Sequence, residues 1–168
     1  LFYQYYPFDV AWGPMYWGHA VSEDLVHWEH LPAALAPDRT YDEEGCWSGS
    51  AIELPDGRHL IIYTGREPFL NDGKPEIRQV QCLAFGDGVD YEKWENNPVI
   101  KSTDLPEGAS IYDFRDPKIW KDEETGIYHI VVGSRAADGH GQVLLYDSAD
   151  GFSWEYRGIL DASHGEIG

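Results

Sequence analysis

Features that identify several common protein classes are missing from this sequence. Its 168 residues include 2 cysteines, Cys46 and Cys82, and no Cys-x-x-Cys spacing, so neither a zinc site nor a disulfide framework is indicated. Glycine-rich nucleotide-binding motifs, a Gly-x-Ser-x-Gly elbow and a His-Glu-x-x-His pair are also absent, which leaves those chemistries without support. No apolar run approaches the roughly 20 residues of a membrane-spanning helix.

Positive charge is scarce. The chain has 12 Lys and Arg residues against 30 Asp and Glu residues, a formal net charge of −18. Nucleic acids and anionic membranes would be repelled, so we expect neither as a partner. A neutral ligand such as a sugar fits better, although acidity also serves solubility alone.

The residues that are abundant favour short strands and many turns. Aromatic residues make up 14% of the chain, with 18 Gly and 10 Pro, and no segment shows a convincing helical period. We predict one all-β domain. Strands are expected at 1–6, 15–22, 31–35, 47–54, 59–64, 80–85, 117–121, 127–133, 143–146 and 154–160, with a loop at 66–78. The chain starts without Met, which suggests an internal piece of a longer protein and leaves localisation open.

One pattern recurs at a fixed spacing. Asp24, Asp87 and Asp150 each stand four residues before an aromatic residue that Glu follows, and successive copies are 63 residues apart. A fixed period with about four strands per unit is typical of antiparallel, four-stranded β-propeller blades, although blades usually have about 40–50 residues. Because an Asp at a turn can bond its own backbone, we interpret the pattern as turn architecture and not as an active site.

Propellers bind ligands where the first strands of their blades converge. We therefore expect Gln4, Trp47–Ser48 and Arg115–Asp116 at equivalent places in three units, facing one cavity. Gln4 lies in an aromatic strand and is either a structural hydrogen-bonding residue or a ligand contact.

Arg115 and Asp116 interrupt an aromatic and apolar stretch at 111–120. We expect the guanidinium to keep the neighbouring carboxylate ionised, and Pro117 to bias Asp116 toward an extended conformation near the start of a strand. The alternative is a solvated salt bridge in a turn.

Seven segments, in this order along the chain, carry a specific resemblance: LFYQ (1–4), WGHAVSEDLVHW (17–28), LAPD (35–38), GCWSGSA (45–51), QVQC (79–82), NPVI (97–100) and FRDP (114–117). Together they resemble glycoside hydrolase family 32, the family of invertases, fructanases and sucrose-6-phosphate hydrolases. The resemblance implies a five-bladed propeller followed by a C-terminal β-sandwich. Residues 1–168 would be a partial N-terminal propeller domain of about two and a half blades.

The same resemblance implies cleavage of β-D-fructofuranosides with retention. The nucleophile belongs to a Trp-Met-Asn-Asp-Pro-Asn-Gly segment ahead of LFYQ, and the acid/base belongs to a Trp-Glu-Cys-Pro segment beyond Gly168. Both are expected outside this chain, which alone should be inactive. Glu166 lacks the neighbours of that acid/base and is not assigned the role.

The site residues that this chain would supply also follow from the resemblance. Asp116, with Arg115, matches the position that stabilises the transition state, and four residues match positions that line the fructose pocket: Gln4, Trp12, Trp47 and Ser48. Trp47 replaces the more frequent Phe. The chemistry needs no metal or other cofactor, and the expected partner is a small sugar.

Two other functions are compatible with the sequence. One is a non-catalytic carbohydrate-binding propeller, and the other is a related five-bladed glycosidase that acts on arabinose-containing polymers. FRDP and the segment 17–28 favour the fructosidase over the second. The preference among sucrose, sucrose 6-phosphate, inulin and levan is open.

Overall fold

Eleven β-strands and one turn of 3₁₀ helix (Ser102–Asp104) form the regular structure of residues 1–163, which the computed structural model describes. The strands are β1 (Phe2–Tyr5), β2 (Tyr16–Val21), β3 (Glu29–Leu35), β4 (Cys46–Glu53), β5 (His59–Asn71), β6 (Lys74–Gly86), β7 (Tyr91–Lys93), β8 (Phe114–Lys121), β9 (Tyr128–Arg135), β10 (Gly141–Ser148) and β11 (Glu155–Ala162). The all-β prediction is confirmed. Most ends of the predicted strands lie within a few residues of the observed ends.

The strands form three antiparallel sheets in chain order within residues 1–163. The first sheet has the order β1-β2-β3, the second β4-β5-β6-β7 and the third β8-β9-β10-β11. Each sheet is a simple up-and-down meander, as in consecutive propeller blades. The chain therefore contributes two four-stranded sheets and one three-stranded sheet, slightly more than the two and a half blades expected.

The loop predicted at 66–78 is wrong. β5 and β6 continue as one hairpin, paired from His59 opposite Gly86 to Asn71 opposite Lys74. Asp72 and Gly73 both have positive φ, 49° and 77°, as in the type I′ turn that matches the twist of a hairpin. The Asp-Gly pair was the available sequence signal, but the prolines and charges nearby favoured a loop. β7 was also missed.

Two layers of core separate the three sheets, and β5 contributes to both. Ile61 and Tyr63 belong to the core shared with the first sheet, whereas Leu60 and Ile62 belong to the core shared with the third sheet. Successive side chains of a strand point to opposite faces. Thr64 therefore continues the face that packs against the third sheet.

The recurring Asp residues form turns, as interpreted from the sequence. The Oδ1 atom of Asp24 accepts from two backbone N–H groups two and three residues later, at 2.9 and 2.7 Å. Asp87 and Asp150 do the same at 2.8–2.9 Å. The three turns join β2 to β3, β6 to β7 and β10 to β11, so they mark the same connection in each sheet.

These turns correct the expected equivalence of Gln4. Counted from them, β1 corresponds to the second strands β5 and β9, not to the first strands β4 and β8. Gln4 therefore lies on a strand that corresponds to the second strand of the other sheets, whereas Trp47 and Arg115 lie on first strands. The prediction failed because the first sheet, among the described residues, begins with a strand of the second position. The other two sheets begin with the first strands β4 and β8.

Candidate functional site

The first strands of the second and third sheets lie side by side. The Ser50 hydroxyl on β4 donates to the Pro117 carbonyl at 2.9 Å and accepts from the Ile119 N–H at 2.8 Å on β8. Since these strands belong to different sheets, the bonds fix the edge at which the two sheets converge.

Both strands are bulged at the same place. The register of β4 with β5 shifts between Trp47 and Gly49, and that of β8 with β9 shifts between Arg115 and Lys118. A bulge bends its strand and re-aims the side chains there. Ser48 on β4 and Asp116 on β8 consequently occupy equivalent positions, and both are exposed.

Asp116 has an unusual backbone for a residue within a strand. Its φ is 60°, so the extended conformation expected from the following proline is wrong. The Asp116 N–H donates to Oγ1 of Thr64 on β5 at 3.2 Å. A contact from the neighbouring sheet therefore accompanies a backbone conformation that the local sequence disfavours.

Arg115 pairs with Asp113 and not with Asp116, which corrects the expected ion pair. Its Nη1 lies 3.1 Å from Oδ1 of Asp113, and Nη2 of Arg135 lies 2.7 Å from the other carboxylate oxygen. Burial works against the charged form of Asp113, but the hydrogen bonds from Arg115 and Ser110 and the charge of Arg135 outweigh it and lower the pKa of that carboxyl. Asp116 is left without a cation within salt-bridge distance among residues 1–163.

Four of the six candidate residues line two depressions, two residues in each, and their convergence on one cavity in the complete protein stays a prediction. Gln4 and Ser48 line a cavity of about 280 Å³ together with residues of β1, β2 and β4. Asp116 and Arg115 line a second one of about 440 Å³ beside residues of β9. The Gln4 side-chain amide donates to the Cys46 carbonyl at 3.3 Å, so this residue holds β4 and borders the cavity.

Two tryptophans and an arginine form a cluster at the start of β4. The rings of Trp12 and Trp47 meet edge to face with centroids 5.9 Å apart, and the Arg66 guanidinium lies 4.5 Å from the Trp47 ring centroid. Partial burial lowers the pKa of Arg66. Trp12 is 69% exposed, so its ring offers an open apolar face of the kind that sugar C–H groups contact.

Several polar residues around β8 were not assigned a role from the sequence. Arg66 was not assigned a role because the segment 66–78 was predicted to be a loop. Thr64 and the glutamines of QVQC (79–82) are buried against β8. A polar residue on the face of a strand that is otherwise apolar is the signal that could have found them. Glu166 lies outside the described residues.

Residues 1–163 contain neither a candidate membrane-spanning helix nor a candidate metal cluster. No helix in this range is long and apolar enough to cross a membrane. No group of three or more His, Cys, Asp or Glu side chains there is arranged to hold a metal ion.

Comparisons with known proteins agree on the family. Residues 1–168 match the Glycosyl hydrolases family 32 N-terminal domain. The sucrose-6-phosphate hydrolase of Zymomonas mobilis is 46% identical over 172 residues, covering 99% of this chain and 32% of that protein. The acid beta-fructofuranosidase of Vicia faba is 41% identical, covering 95% of this chain and 24% of that protein.

Solved structures share the fold. A sucrose-bound mutant of the Bombyx mori GH32 beta-fructofuranosidase has a TM-score of 0.82 and 43% identity, covering 99% of this chain and 33% of that one. The sucrose-6-phosphate hydrolase of Lactobacillus gasseri has a TM-score of 0.84 and 34% identity, covering 99% of this chain and 32% of its own. This chain thus spans about a quarter to a third of the length of these relatives. It belongs to glycosyl hydrolase family 32 and forms part of that family's N-terminal propeller domain.

Proposed function

We propose that the complete protein containing this chain is a retaining β-fructofuranosidase that cleaves sucrose, sucrose 6-phosphate or fructans. Asp116 stabilises the transition state through the hydroxyls of the fructosyl ring. The nucleophile and the acid/base are carboxylates outside this chain, and residues 1–168 alone are inactive. A C-terminal β-sandwich completes the protein.

The observation that carries the proposal is the placement of Asp116. Its carboxylate is exposed at a bulge of the first strand of a sheet, and Arg115 is turned to Asp113. Fructoside cleavage passes through an oxocarbenium-like state that needs one carboxylate to attack and another to protonate the leaving oxygen. A third, ionised carboxylate accepts strong hydrogen bonds from ring hydroxyls as positive charge develops.

The remaining candidate residues form the walls of the fructose site. Ser48 occupies the bulge equivalent to that of Asp116 and supplies a hydroxyl. Trp12 and Trp47 supply apolar ring surface, and Gln4 borders the cavity beside Ser48. Arg115 supports the site indirectly by bridging Asp113 and Gln79. Apolar walls with a few polar groups are typical of small-ligand sites.

Asp116→Asn in the complete protein tests the proposal. The amide keeps the shape and removes the charge, so kcat on sucrose should fall by about 10²–10³, or roughly 3–4 kcal/mol of transition-state stabilisation. KM should rise far less, because the lost interaction strengthens in the transition state.

Thermal unfolding of the same variant provides the control. A wild-type kcat with a lowered Tm would make Asp116 a turn residue and remove the centre of the proposal. Sugar binding without turnover by the wild-type complete protein would favour the non-catalytic carbohydrate-binding propeller. Comparing kcat/KM for sucrose and its 6-phosphate then identifies the preferred substrate.

A further inference from the structure

The backbone around Asp116 is held by buried side chains of the neighbouring sheet. Oγ1 of Thr64 accepts from the Asp116 N–H at 3.2 Å and donates to Oε1 of Gln81 at 3.1 Å. The Gln81 amide then donates to the Phe114 carbonyl at 2.7 Å. Thr64 and Gln81 are both 0% exposed. A continuous chain of hydrogen bonds therefore starts at the Asp116 N–H and ends two residues earlier on the same strand.

The conformation that this chain of bonds supports would not form by itself. Asp116 has a φ of 60° and precedes Pro117. Proline disfavours such a backbone in the residue before it, and a non-glycine residue is strained there. Such strain persists only where surrounding contacts determine it, and it clusters at functional sites.

Further contacts hold the strand on both sides of Asp116. Oε1 of Gln79 accepts from the Phe114 N–H at 2.7 Å. Ser50 bonds the Pro117 carbonyl and the Ile119 N–H. The backbone of β8 is thus fixed before, at and after the bulge by side chains of β4, β5 and β6.

Thr64 and Gln81 interrupt an apolar pattern on one face of the second sheet. Leu60 and Ile62 precede Thr64 on the same face of β5, and Leu83 follows Gln81 on the same face of β6. Apolar residues would pack this face without any need to satisfy buried polar groups. A hydrogen-bonded Thr–Gln pair opposite the bulge instead specifies one geometry.

We propose that Thr64 and Gln81 are positioning residues, which hold the Asp116 carboxylate in the geometry required at the transition state. The proposal rests on the role of Asp116 proposed above. Neither residue touches the sugar. Each acts through the Asp116 backbone, so its removal displaces the carboxylate without removing its charge.

Thr64→Val in the complete protein is the direct test. It keeps the volume and deletes the hydroxyl that links Asp116 to Gln81. Misplacing a catalytic group by about 1 Å can cost about 10²-fold, so we expect kcat on sucrose to fall by about 10–100-fold, with KM changing less than about twofold. Thr64→Ser keeps the hydroxyl and should restore most of kcat.

A double-mutant cycle separates this proposal from the role of Asp116. If Thr64 acts through Asp116, Thr64→Val should cost little further activity in the Asp116→Asn background. An equal loss in both backgrounds would overturn the positioning role. If Asp116→Asn is impaired but folded Thr64→Val has a wild-type kcat, the positioning role is overturned and the proposed function remains intact. A wild-type kcat for Asp116→Asn would overturn both.

Two more variants guard against a loss of fold. Ile61→Val removes a buried methylene group from the opposite face of β5, so it should lower Tm with kcat unchanged. If Thr64→Val does not fold, Gln81→Met takes its place in the same cycle, because it removes the amide that bonds Thr64 and the Phe114 carbonyl. A folded Gln81→Met with wild-type kcat would then overturn the proposal.

Discussion

At Gly49 the backbone of β4 leaves no room for a side chain on the side of β5. A Cβ atom built there would lie 1.9 Å from the Ile62 carbonyl oxygen and 2.7 Å from the Tyr63 Cα. Both obstacles are backbone atoms, which cannot rotate away as a side chain can. The bulge that presents Ser48 therefore depends on the absence of a side chain at the next position.

We expect Gly49→Ala to destabilise the complete protein by about 1–3 kcal/mol, as overpacking of a close contact does. Chemical denaturation measures the loss. Gly133→Ala is the matched control, because its Cβ would meet only the Arg115 carbonyl oxygen, at 3.3 Å. Equal losses for the two variants would show that the contact with β5 is not the cause.

At the same scale, the structure shows why two local predictions failed. Arg115 and Asp116 are adjacent in sequence, but the Arg115 guanidinium donates to Asp113 at 3.1 Å, so adjacency did not produce an ion pair. Against the bias from Pro117, the Asp116 N–H donates a hydrogen bond to Thr64, 52 positions away. Contacts of this kind are not contained in the local sequence.

At the scale of elements, a buried ion pair connects β7 to the segment between β3 and β4. Nζ of Lys93 lies 2.5 Å from Asp42 and 2.6 Å from Asp38, and the Asp42 side chain is fully buried and also accepts from the Tyr63 hydroxyl. Burial works against the charged form of Lys93, but the adjoining acidic groups outweigh it and raise its pKa. The bonds anchor the segment that leads into Trp47 and Ser48.

Lys93→Met should cost about 3–5 kcal/mol in the free energy of unfolding, because it leaves a buried carboxylate without its cation. Arg58→Met is the control: Arg58 pairs with Asp56 at 2.8 Å, but both side chains are more than half exposed, so about 0–1 kcal/mol is expected. Similar losses for the two variants would contradict the difference in burial on which this prediction rests.

The elements were the most predictable part of this protein. Alternating side chains and Gly- or Asp-containing turns located most strands, and the repeated Asp turns fall at one connection per sheet. The extended arm of β5 and β6 was missed because its prolines and charges are typical of loops. A long hairpin tolerates them at positions where a central strand would not.

At the scale of the whole molecule, His19 lies at the contact between the first two sheets. It is 2% exposed, stacks on Phe2 with ring centroids 5.6 Å apart and meets the edge of Tyr91. Burial lowers the pKa of His19 below its usual 6.5. The unfolded chain therefore binds a proton at a higher pH than the folded chain.

This difference predicts acid sensitivity of the contact. Stability should fall as pH drops below about 6.5, where the unfolded form takes up the proton first, and the fall should continue to the lower pKa of the folded state. His19→Phe in the complete protein should show a smaller loss of Tm between pH 7.5 and 5. An identical pH dependence of Tm in the wild type and the variant would rule out His19 as the source.

The way in which the sheets pack against one another was the hardest feature to predict. The 63-residue spacing indicated blades, but it did not show which strand of the first sheet carries Gln4. That requires counting strands from the turn. The side chains that join β4, β5 and β6 to β8 likewise depend on how two sheets pack, so the sequence pointed to Asp116 but not to its supports.

The two cysteines give this molecule an internal reporter. Cys46 and Cys82 are free and fully buried in the core between the first and second sheets, and burial raises the pKa of both thiols. A thiol reagent added to the folded protein reaches them only when those sheets part. The rate of labelling therefore measures how often the contact between the first and second sheets opens. A single cysteine introduced at an outer turn would carry a dye without competition from the native pair.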